Sequence, residues 1–116
     1  MSMSLRPLLP IATSVVALLW TITPGALAAG SPGAAIVLAR DFMFAPTSLT
    51  VSAGSTVTWT NKDDEPHTVV SDTAVFRSGA LDTDESFAFR FDKPGTYHYA
   101  CSIHPRMVGT IVVLSP

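Results

Sequence analysis

The stretch Thr56-Val57-Thr58-Trp59-Thr60 alternates polar and apolar residues with a period of two, the mark of a strand with one buried face. The same period returns at Phe87, Phe89 and Phe91, with Ala88 and Arg90 on the opposite face. Shorter runs rich in strand-forming residues lie at 35–40, 48–51, 96–100 and 108–114, and 67–71 can form another. Between them stand turn signals: Ala53-Gly54, the polar loop 61–66, and Lys93-Pro94-Gly95, where proline presets one torsion and glycine tolerates the next. Pro46 ends regular pairing after Phe44, and 72–85 shows no clear period. No helical period of useful length appears. Seven or eight short strands with frequent turns predict an all-β fold, a Greek-key β-sandwich.

The first thirty residues follow a different pattern. Arg6 precedes an uncharged apolar run over 11–22, Pro24 and Gly25 break it, and Ala26-Leu27-Ala28 is a small-x-small cleavage pattern. The run is shorter than the ~20 residues that span a bilayer. It therefore predicts a cleaved signal peptide (1–28) rather than a membrane anchor. A flexible N-terminal segment (29–34) and one domain (35–116) follow, in an exported protein placed in the periplasm.

Charge narrows the choice of partner. Arg6 apart, six basic residues stand against nine acidic ones, and neither sign clusters into a stripe. Nucleic-acid binding is not expected. One cysteine in an exported chain needs a role, since it makes no internal disulfide. An intermolecular bridge, a reactive thiol and a metal ligand are the options.

The segment Cys101-Ser102-Ile103-His104-Pro105-Arg106-Met107 decides between them. It puts a thiol, an imidazole and a thioether in one loop between two predicted strands. Soft sulfur stabilises Cu(I), and imidazole serves both oxidation states. A blue-copper centre needs a second histidine as well. Side-chain parity puts Tyr97, Tyr99 and Cys101 on one strand face and His98 on the other. His67 shares its face with Val69, so His67 and His104 are the candidate ligands and His98 a surface residue. Each residue alone would read as core filler or an incidental polar group; their combination argues otherwise. Zinc also fits a Cys-His-His set and would give a colourless, redox-silent protein.

These residues resemble the cupredoxins, and within them the amicyanin group. The likeness runs through Phe42-Met43-Phe44-Ala45-Pro46, Val57-Thr58-Trp59-Thr60-Asn61 and Pro66-His67-Thr68-Val69. It continues in Pro94-Gly95-Thr96-Tyr97-His98-Tyr99 and in the short loop Cys-x-x-His-x-x-Met. The resemblance implies a Greek-key sandwich holding one copper ion, with His67, Cys101 and His104 equatorial and Met107 axial. Thr68 stands where much of the family has asparagine, and its hydroxyl can make part of the link between the two ligand-bearing segments. Such a site has no evident open position, so an enzyme is not expected. The function implied is single-electron transfer between redox proteins, such as a dehydrogenase or a c-type cytochrome, met transiently by a monomer. A carrier or buffer that hands over copper itself is the alternative. Ile103 and Pro105 flank His104 and are candidate docking residues, although loop packing explains them equally well.

Overall fold

Alternation turns into burial most directly over Ser55–Asn61, where Ser55, Val57, Trp59 and Asn61 are buried and the residues between them only half so. The computed structural model describes residues 2–21 and 30–116. Their strands are β1 (Ala34–Arg40), β2 (Met43–Ala45), β3 (Ser48–Ser52), β4 (Ser55–Asn61), β5 (Val70–Ser71), β6 (Ser86–Phe91), β7 (Gly95–Ala100) and β8 (Val108–Leu114). They form two four-stranded sheets, ordered β2-β1-β4-β6 and β3-β8-β7-β5. β1 runs parallel to β4 and β3 parallel to β8, and the other pairs are antiparallel. The all-β reading stands.

Both sheets turn apolar faces inward. Val37, Val57, Trp59 and Phe91 come from one, and Tyr99, Ile111 and Val113 from the other. Trp59 anchors the interior, stacked on Phe76 at 5.5 Å and edge-on to Tyr99 at 5.4 Å. Truncating a core aromatic of this kind costs roughly 3–5 kcal/mol. Burial also pushes the Tyr99 phenol up to about 12, so it stays neutral. The expected parity of β6 and β7 holds: Phe87, Phe89 and Phe91 face in, as do Tyr97 and Tyr99, while His98 is exposed.

Two glycines sit where no other residue fits as well. Gly54 joins β3 to β4 at φ +91, a conformation glycine reaches without a Cβ penalty. Gly109 on β8 pairs with Tyr99, whose ring lies across it, so that a Cβ there would come within 2.2 Å of the ring.

The strand expected over 67–71 shrinks to Val70–Ser71. Its upstream half pairs instead with the irregular stretch that follows. His67 and Leu81 exchange backbone hydrogen bonds (3.1 and 2.7 Å), and the Ser78 amide donates to the Val69 carbonyl at 2.8 Å. The Ser78 hydroxyl takes the Val69 amide at 2.7 Å. A side chain there replaces a neighbouring strand, which hydrophobic periodicity does not register.

Residues 2–21 form no regular element, and Leu5, Leu8, Ile11 and Trp20 among them are exposed. Among the described residues no helix is long and apolar enough to cross a membrane. The expected cleavage after Ala28 lies outside the described residues.

Candidate metal centre

Antiparallel pairing of β5 with β7, with Val70 opposite Ala100, fixes where the ligand-bearing segments meet. Continued by two residues past the strand ends, this register sets Thr68 beside Ser102. His67 and Cys101 therefore emerge at the same pole of the sandwich. The His67 and His104 Nδ1 atoms stand 3.2 Å apart, and Cys101 Sγ lies 4.0 and 3.8 Å from them. All three can hold one metal ion. His67 and Cys101 are each 1% exposed, and His104 is half-buried.

The loop from Cys101 to Met107 closes on itself. The Cys101 amide donates to the Met107 carbonyl at 3.0 Å, and the Met107 amide to the His104 carbonyl at 2.9 Å. Met107 is buried and borders a shallow apolar depression with Phe42, Ile103, His104, Pro105 and Arg106. Ile103 and Pro105, the candidate docking residues, are exposed beside His104. Phe42, not among the candidates from sequence, completes that rim. His98 lies apart, its Nδ1 3.1 Å from the Thr110 hydroxyl on the outer face.

The sulfur is prepared for a metal. Burial pushes the Cys101 thiol up, but N–H groups of Thr68, His104 and Ile103 directed at the sulfur outweigh it and bring the thiol down to about 6. Thiolate, the form that binds metal, therefore prevails at neutral pH. The Thr68 amide is 3.3 Å from Sγ. The Thr68 hydroxyl accepts from the Ser102 amide at 2.8 Å and meets the Ser102 hydroxyl at 2.8 Å. The threonine thus ties the two ligand-bearing segments together. One thiolate, two imidazole Nδ1 atoms and a neighbouring thioether form a donor set that suits copper, with softness and charge compatible with both of its oxidation states.

Sequence reasoning missed the residues that hold His67. Asn61 continues the inward face of Val57 and Trp59 and is fully buried. Its Nδ2 donates to the Glu65 carbonyl (2.7 Å) and the Leu81 carbonyl (2.8 Å), and its Oδ1 accepts from the Asp63 amide at 2.9 Å. This one side chain shapes the whole loop leading to His67. The signal was available: parity along β4 already aims residue 61 inward, and a buried asparagine must be bonded.

Comparison with known proteins agrees with this geometry. Amicyanin-alpha of Methylorubrum extorquens is 36% identical over 80 residues, covering 60% of this chain and 63% of that protein. Amicyanin of Paracoccus denitrificans is 32% identical over 96 residues, covering 78% of this chain and 73% of its own length. Among solved structures, a purple cupredoxin from Nitrosopumilus maritimus superposes with a TM-score of 0.66 at 33% identity, covering 69% of this chain and 99% of that one. The Cupredoxin-like domain family matches residues 11–113, nearly the whole chain. With eight strands and a histidine–cysteine–histidine pole among its described residues, the chain belongs to the cupredoxin family.

Proposed function

We propose that this protein is a periplasmic single-electron carrier in which His67, Cys101, His104 and Met107 would hold one copper ion. The observation that carries the reading is the convergence of two Nδ1 atoms and a sulfur, from segments 34 residues apart, at one buried pole. Copper bound there would take up and give back one electron.

The residues serve that chemistry by holding still. Cys101 presents a thiolate at neutral pH, so metal binding need not wait on a proton. His67 is buried and fixed, while the half-buried His104 ring is the most exposed of the donor set and, with Met107, borders the apolar rim. Ile103, Pro105 and Phe42 around it offer a small surface suited to brief contact with a redox partner such as a dehydrogenase or a c-type cytochrome. Water is kept from the sulfur by burial. Four donors leave no position for a substrate, which supports a carrier rather than an enzyme.

Voltammetry of the copper-loaded protein tests the reading. A reversible one-electron wave, with the metal retained over many cycles, is the expected result. Loss of copper to solution on each reduction would favour a protein that delivers the metal.

A further inference from the structure

β1 turns into β2 through two residues only, since Arg40 pairs directly with Met43. Both of them, Asp41 (φ 53) and Phe42 (φ 57), are left-handed. Turns of this shape normally use Asn-Gly, because a Cβ crowds the neighbouring carbonyl oxygen in this conformation. An aromatic residue persists in such a position only when its surroundings impose it. What imposes it comes from a distant loop. Asp63 Oδ1 accepts the Asp41 amide at 2.7 Å, and Oδ2 accepts the Phe42 amide at 3.0 Å.

The same Oδ2 lies 2.7 Å from His67 Nε2. Asp63 is itself fixed from its backbone: its amide donates to Asn61, and its carbonyl takes the Thr83 hydroxyl at 2.7 Å. The turn in its place sets the Phe42 ring edge-on to both imidazoles, 5.3 Å from His67 and 5.0 Å from His104. A carboxylate on Nε2 favours the tautomer with its proton there and leaves Nδ1, the atom facing Cys101 and His104, as a lone pair.

We infer that Asp63 is a positioning residue that clamps His67 and the Phe42 turn together, fixing the ligand's tautomer and holding an aromatic cover beside both histidines so that bound copper leaves slowly. The retention of copper rests on the electron-carrier reading, whereas the tautomer and the turn do not. A ligand held from behind and covered in front keeps its metal through a change of oxidation state. That behaviour separates an electron carrier from a protein that gives copper away.

The test begins without metal. Nitrogen NMR of the copper-free protein should find His67 protonated at Nε2, and the Asp41 and Phe42 amides should be slow to exchange with solvent. Asp63→Asn should mix the tautomers and speed exchange of both amides at least tenfold, and Asp63→Glu should restore part of each. Loaded with copper and reduced, Asp63→Asn should lose Cu(I) to an excess of chelator about 10–100-fold faster than the parent. Phe42→Ala should also release faster, yet leave the His67 tautomer unchanged. An Nδ1-protonated His67 in the parent protein would overturn the inference even if no variant folds. So would Asp63→Asn with unaltered tautomer, exchange and release. If the copper-free signals behave as expected but Cu(II) gives no thiolate complex, the clamp stands and the electron-carrier reading falls.

Discussion

The two halves of the metal centre are built by opposite means. Cys101, His104 and Met107 share one seven-residue loop, closed by two local backbone hydrogen bonds. His67 is held by groups scattered along the chain: Asn61 and Leu81 shape its backbone, Asp63 takes its Nε2, and Phe42 covers its ring. The loop is therefore a motif, and the His67 side is an assembly. A short contiguous loop keeps its donors close even when its surroundings change. An assembly depends on every strand that brings a member to the site.

That contrast predicts unequal sensitivity. Asn61→Ala removes three hydrogen bonds, leaving the Glu65 carbonyl and the Asp63 amide without this partner and the Leu81 carbonyl with the His67 amide alone, and should cost about 3 kcal/mol in urea unfolding. Copper affinity should fall with it, although no ligand has been touched. Gly109→Ala attacks the other side through its scaffold, because the new Cβ meets the Tyr99 ring on the strand that leads to Cys101. Overpacking there should cost roughly 1–3 kcal/mol, measured in the same way, with the thiolate–copper band retained. If Gly109→Ala abolished that band while Asn61→Ala left copper binding intact, the contrast would be reversed.

Thr68→Val probes the seam between the halves. It removes the hydroxyl that reaches Ser102 but keeps the amide aimed at sulfur. About 1 kcal/mol of stability should be lost. The visible band should shift rather than vanish, as spectra of the copper-loaded variant would reveal.

Without metal, the pH dependence of stability separates the sulfur from the rest of the site. The folded Cys101 thiol sits near 6, below the ordinary value of 9.0, so its stabilisation is complete above the ordinary value and lost as pH falls through the folded one. Stability of the copper-free protein should therefore rise between about pH 6 and 9 relative to Cys101→Ser. Paired unfolding curves across that interval would check the slope.

The same division explains what the sequence made legible. β4, β6 and β7 were readable because burial there follows strict alternation, and parity correctly set His98 apart from Cys101. The Cys101–Met107 loop was readable because its donors are contiguous. His67 was reached by parity, yet its backbone pairs with Leu81 rather than extending a strand toward it. Asp63 looked like one more acid in a solvated loop. Its partners, the Asp41 and Phe42 amides, lie more than twenty residues upstream, and nothing in local composition links them. Phe42 gave no warning either, because hydrophobicity carries no sign of a left-handed backbone.

A copper–thiolate bond would form where the two halves meet. Cu(II) added to the purified protein should produce an intense blue or purple colour at one equivalent, absent in Cys101→Ser. A colourless adduct, or colour that survives the loss of Cys101, would contradict it.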